Sequence, residues 1–197
     1  DKELLKLADG TECLHYYHDF ELGTQVGLHL FSDTVTETFD LINGTQVLIA
    51  RTKTYVVVAF SGTDDWRTSI SDGKILTDNF STTYNVNGTE DTIFHQVPDG
   101  VRVHRGFNQA VFDNDHYQSM MDCIGIARTG GYCDGRSGSQ LAEPLQLLTT
   151  GHSLGAADSM LLGVALHLTY PQEPIRSINF GCPKVGNEEW SQWVNSL

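Results

Sequence analysis

Apolar positions along this chain repeat with two periods, and the change from one to the other is the first clue to its architecture. Leu4, Leu5, Leu7 and Ala8 share one helical face, which predicts a helix over residues 1–20 that Gly10 can interrupt. Val26, Leu28 and Leu30 alternate with other residues, the pattern of a half-buried strand over 25–31. Val35 to Ile42 alternates too, and Asn43-Gly44 predicts a two-residue hairpin turn into a partner strand, Gln46–Ala50. Tyr55-Val56-Val57-Val58-Ala59-Phe60 is apolar on both faces and rich in β-branched residues, which predicts a central strand. From 71 to 100 periodicity is lost among Thr, Asn, Asp and Gly. That stretch predicts a long surface excursion with short strands at Ile75-Leu76 and Ile93-Phe94.

After a brief strand at Val101–Val103, helical spacing takes over. Phe107, Ala110, Val111, Met120, Met121 and Ile124 fall on the buried side of one helix opening at His104. Residues 129–140 are a Gly-rich loop. Leu145–Leu148 is an apolar strand run, Leu154 to Leu168 a helix that ends before Pro171, and Ile175–Phe180 a further strand. Residues 181–187 form a turn, and Glu188 to Asn195 a helix with Trp190, Trp193 and Val194 inward. Strands alternating with helices imply a mostly parallel central sheet with flanking helices, an α/β fold. No repeat or linker interrupts it, so 1–197 reads as a single domain.

One junction carries chemistry. Gly151-His152-Ser153-Leu154-Gly155 is G-x-S-x-G, set between an apolar strand run and a helix. Lifting a serine hydroxyl clear of the backbone needs a tight, strained turn, and side chains two residues either side would collide with strand and helix. The helix that follows aims free N–H groups and its positive end at any anion formed there. Ser61-Gly62-Thr63-Asp64 leaves the central strand at the end where ligands bind in open α/β sheets. Its Gly-Thr can offer an N–H and a hydroxyl to an oxyanion. A plain strand-exit turn with Asp64 as a cap fits the same residues equally well.

Composition narrows the partners. The formal net charge of −13 disfavours nucleic acid and anionic membrane surfaces. No run is long enough to cross a membrane. Of the four cysteines, none lies in a C-x-x-C pair, so no zinc or other metal site is expected. Three N-x-S/T sequons, at Asn43, Asn79 and Asn87, tilt the chain towards a secreted glycoprotein, a setting that permits disulfides. Cys123 and Cys133 flank a Gly-rich turn and are the first pair to link. Cys13 and Cys182 are left to pair together or with something outside the chain. With no leader at its start, Asp1 reads as the start of a mature chain or as a start chosen for expression.

Four segments, in order, resemble the fungal-type, or class 3, triacylglycerol lipases of the α/β-hydrolase fold. They are Val57 to Thr63, Val103-His104-Arg105-Gly106-Phe107, the elbow at Ser153, and Asn179 to Asn187. The resemblance implies Ser153 as nucleophile. It also implies an oxyanion hole made by the N–H of Leu154 and the N–H and hydroxyl of Thr63. The chain departs from the family's pattern where Ser61 replaces an Arg, Lys184 replaces an Arg, and Ala156 stands for a second Gly. The short 63–66 segment argues against a full amphipathic lid.

The triad order in this fold is Ser, acid, His. The only histidine after Ser153 is His167, ~21 Å along the helix at ~1.5 Å per residue. His152 and His104 read as structural, and Asp158 as a solvated or capping group. Glu188 and Glu189 have no base to orient. The fold is therefore expected to be truncated at its C-terminal side, with acid and base supplied from beyond Leu197 or by a second chain. The Trp190, Trp193 and Val194 face is expected to pack on that missing structure. Two functions compete: a lipase or esterase acting through an acyl-enzyme, without a cofactor, and a non-catalytic relative that binds acyl chains.

Overall fold

The computed structural model describes residues 35–40, 46–62, 76–84, 90–113, 116–133, 135 and 138–197. The helix expected over 1–20, the strand over 25–31, the Asn43-Gly44 turn, Thr63 with the rest of 63–66, Asn87 and Cys13 lie outside them.

A five-stranded sheet runs in the order β1 (Val35–Asp40), β2 (Gln46–Arg51), β3 (Tyr55–Phe60), β8 (Gln146–His152), β9 (Ile175–Phe180). The sheet is mixed. β1 to β2 and β2 to β3 are antiparallel, while β3 to β8 and β8 to β9 are parallel. A crossover between parallel strands must return along the sheet's face, and the helix that joins β8 to β9 packs on both of them. Val57 and Val58 are both buried, as two-faced apolarity predicts for a central strand. On one face Val47, Ile49, Val56, Val58, Phe60 and Leu147 join the main core. On the other, Leu48, Val57, Ala59 and Leu148 form a second cluster with Tyr55 and Ile178.

The single helix expected from His104 is two helices, α1 (Arg105–Phe112) and α2 (His116–Arg128). Asp113 breaks it: its backbone is extended, and its N–H donates to the Gln109 carbonyl at 3.1 Å. The polar run Asp113-Asn114-Asp115 explains the stop, since such side chains compete with helical hydrogen bonds. α3 (Leu154–Thr169) fills the crossover from β8 to β9, and α4 (Glu188–Val194) follows β9. Asn187 caps α4 and ties it down. Its Oδ1 accepts from the N–H groups of Trp190 and Arg102, both at 3.0 Å, and its Nδ2 donates to the Gly100 carbonyl at 2.7 Å.

The stretch 71–100 is not a surface excursion throughout. The short strands fall at β4 (Thr77–Asn79), β5 (Thr82–Tyr84) and β6 (Glu90–Thr92); Leu76, Ile93 and Phe94 lie outside strands, and Ile75 lies outside the described residues. β4 pairs with β7 (Arg102–His104) and β5 with β6. Phe80 is fully buried, its ring 5.2 Å from Phe112, 5.3 Å from Trp190, 5.8 Å from Trp193 and 6.0 Å from Phe94. That cluster also overturns the expectation that the Trp190 and Trp193 face awaits absent structure: Trp190 is 2% exposed against Phe80. Burying such a ring contributes roughly 1.5–3 kcal/mol.

Cys123 and Cys133 are joined by a disulfide, with Cα atoms 5.3 Å apart. The loop it closes is clasped to β2. Arg51 donates to the carbonyls of Gly130 and Gly131 and stacks its guanidinium 4.0 Å from the Tyr132 ring centroid. Cys182 forms no disulfide with any described residue. No helix among the described residues is long and apolar enough to cross a membrane.

Candidate active site

Ser153 stands between β8 and α3 with φ 54° and ψ −123°. A non-glycine residue in that region is strained, and the surroundings must over-determine it. Two close approaches do so. A Cβ on Gly151 would overlap the carbonyl of Gly155, and a Cβ on Gly155 would overlap the carbonyls of Phe60 and Ser61. The first turn of α3 therefore lies directly on the end of β3, and only glycine fits at either position. The Ser153 N–H donates to the Phe180 carbonyl at 3.0 Å, which fixes the turn to β9 as well.

The serine hydroxyl is not consumed by the helix it precedes: Ser153 makes no side-chain capping bond to α3. Leu154 is the first residue of α3, so its N–H belongs to the unsatisfied first turn, at the positive end of the dipole. Ser61 and Gly62, at the exit of β3, are both buried beside that turn. This brings the start of the expected oxyanion segment to the serine, while Thr63 itself lies outside the described residues.

The remaining candidates separate by role. His104 caps α1: its Nδ1 accepts from the Gly106 N–H at 3.2 Å, and its ring lies 4.7 Å from Phe107. Burial pushes its pKa below the ordinary 6.5, and the nearby Asp78 carboxylate opposes that shift. Asp78 is itself held by Arg105, whose Nη2 lies 2.8 Å from Oδ1. His152 lies against the turn after β9, its Nε2 3.3 Å from where a Cβ of Gly181 would stand. His167 sits in the last turn of α3, at the opposite end of the helix from Ser153. Asp158 is not a solvated or capping group: it is 1% exposed. Burial raises the Cys182 thiol pKa, and the Asp158 charge raises it further, so the two groups are near neighbours. Glu188 and Glu189 are exposed in the first turn of α4, where they favour its dipole. Asn79 is exposed in β4, and Asn43 lies outside the described residues with Asn87. Among the described residues, no group of three or more His, Cys, Asp or Glu side chains is placed to hold a metal ion.

Sequence reasoning missed what Ser61 does. Its N–H donates to the Gln46 carbonyl at 2.9 Å, and the Gln46 N–H donates to Ser61 Oγ at 2.8 Å. The register that makes this possible is a property of β2 and β3 together and leaves no local signal.

The strand–serine–helix geometry has relatives. A family model described as lipase (class 3) matches residues 57–197. The chain belongs to that family. Among solved class 3 lipase-like structures, the lipase of Rhizopus microsporus var. chinensis superposes with a TM-score of 0.65 at 25% identity, over 99% of this chain and 62% of the other. The Rhizomucor miehei triacylglyceride lipase gives 0.65 at 17% identity, over 100% of this chain and 68% of the other. Phospholipase A1-IIdelta of Arabidopsis thaliana is 39% identical over 56 residues, which is 27% of this chain and 14% of that protein. This chain thus spans 62% of the length of the Rhizopus lipase. The α/β-hydrolase fold expected from the four ordered motifs is the fold of these neighbours.

Proposed function

We propose that this chain carries the nucleophile and oxyanion half of a serine hydrolase acting on lipid carboxylic esters. The observation that carries the reading is Ser153 itself, a strained residue with an uncommitted hydroxyl, seated at a helix N-terminus by two obligatory glycines. Ser153 Oγ attacks the ester carbonyl and gives up its proton to a histidine base. The carbonyl oxygen, now negative, accepts hydrogen bonds from the Leu154 N–H and from the N–H and hydroxyl of Thr63. Collapse expels the alcohol, which takes the proton back, and leaves an acyl-enzyme that water hydrolyses. Since His167 is the only histidine that follows Ser153 and lies at the far end of α3, the acid and base come from outside these 197 residues, from further chain or a second chain. The single domain over 1–197 is then a partial α/β-hydrolase. Secretion suits the Cys123–Cys133 disulfide, with glycans at Asn43, Asn79 and Asn87. The names of its relatives support triacylglycerols and phospholipids as substrates.

The position of His167 also favours a second reading, a lipase-like protein that binds acyl chains without hydrolysing them. A serine-directed phosphonate separates the two, because only an activated serine reacts. In the complete protein, Ser153 is expected to be labelled stoichiometrically. Ser153→Ala is expected to lower hydrolysis of a p-nitrophenyl ester by several orders of magnitude, ~10⁶-fold in a related triad. A variant keeping more than a tenth of the activity removes Ser153 from the mechanism.

A further inference from the structure

We propose that the Ser61 side chain is a positioning residue, which holds the exit of β3 at Gly62, where the expected oxyanion segment continues, in register with Ser153. The inference rests on the hydrolase reading above. The paired ladder of β2 and β3 ends at Val47 and Phe60. One residue further, Ser61 and Gln46 close an additional ring in which the return bond is made by a side chain: Ser61 N–H to the Gln46 carbonyl at 2.9 Å, and Gln46 N–H to Ser61 Oγ at 2.8 Å. A backbone carbonyl would accept that second bond in a continuing antiparallel pair. Here the hydroxyl accepts it, and the Ser61 carbonyl is left facing another element. That carbonyl lies under Gly155 in the first turn of α3. Ser61 is fully buried between these contacts. So one residue is held by β2 through its side chain and packed against the nucleophile's helix through its backbone, and the chain passes from it directly into the segment that the proposed mechanism uses as oxyanion donor. A transition state charge is stabilised only by donors already aimed at it, and a small displacement forfeits much of that effect.

The position where the family pattern has an Arg is thus held here by a hydroxyl. Removing it takes away the bond from the Gln46 N–H to Ser61 Oγ and releases the strand exit on the side away from α3.

The test uses the complete protein with Ser61→Ala and Ser61→Thr, the latter keeping the acceptor oxygen. Phosphonate titration first counts reactive Ser153 in wild type; kcat, KM and melting temperature are then measured for each variant. Ser61→Ala is expected to lower kcat roughly fivefold, the worth of one hydrogen bond expressed in rate, with KM unchanged. Ser61→Thr is expected to restore kcat. A wild type that titrates fully while Ser61→Ala loses melting temperature but keeps kcat makes Ser61 a structural residue only and overturns the inference. A wild type that does not titrate overturns the hydrolase reading itself, and the positioning role with it. Should Ser61→Thr fail to fold, the kcat of Ser61→Ala still decides.

Discussion

At the scale of single residues, His104 shows how a helix cap becomes pH-dependent. Its neutral Nδ1 accepts the Gly106 N–H, and protonation destroys that acceptor. Burial holds its pKa below 6.5 in the fold, with Asp78 pulling the other way and Arg105 neutralising Asp78. The folded state therefore binds the proton less readily than the unfolded chain. The cap's stabilisation is complete above 6.5 and is lost as pH falls below 6.5 through the folded value. His104→Asn keeps a capping oxygen that cannot titrate. Thermal melts of this variant are expected to lack the wild type's decline over that window; an unchanged decline would assign the dependence to another group. The residue scale is also where sequence and structure part most clearly. Gly151, Ser153 and Gly155 were legible because the elbow's steric demands are local. Asp158 was not: acids are rarely buried, and its burial comes from tertiary packing that no local pattern records. Ser61 was legible as a strand exit, but its clamp depends on the register of a partner strand.

Among elements, the hydrophobic pattern located β2, β3, β9, α3 and α4 within a residue or two, since each has a strong period or an apolar run bounded by turn residues, and found β8 but ended it at Leu148, four residues before its end at His152. It failed where the decisive residue is a single aromatic ring inside a polar stretch. Phe80 sits between β4 and β5, contributes to no period, and yet contacts residues of α1 and α4. Phe80→Ala is expected to cost about 3–5 kcal/mol, the range for truncating a buried aromatic. Urea unfolding followed by tryptophan fluorescence reads this directly, because Trp190 and Trp193 report on the same cluster. A loss below about 1 kcal/mol would show that the strands of 76–94 fold without it. The break between α1 and α2 was missed for the opposite reason: apolar spacing continued across Asp113, and only the polar side chains there ended the helix.

For the whole molecule, the disulfide ties the loop after α2 to that helix, and the Arg51 clasp ties it to the end of β2. Cys123 and Cys133 are separated by 10 in sequence, and closing a ring of that size stabilises a domain by about 2–3 kcal/mol through the unfolded chain. Cys123→Ser with Cys133→Ser is expected to lower stability by that amount in denaturant titrations. A larger loss would mean that the loop's seat on β2 depends on the covalent link. The sheet's topology has another consequence, for time and not for stability. The exit of β3 meets the elbow only through parallel pairing of β3 with β8, where Tyr55 stands beside Gln146 and Phe60 beside Gly151. Everything between must be gathered before those strands meet, and long-range parallel pairing is slow. In refolding, helical circular dichroism is expected to recover first and phosphonate reactivity at Ser153 last. A newly made chain would then pass through a compact stage in which Ser153 is already in the chain but not yet set at a reactive turn, so that reactivity marks the end of assembly.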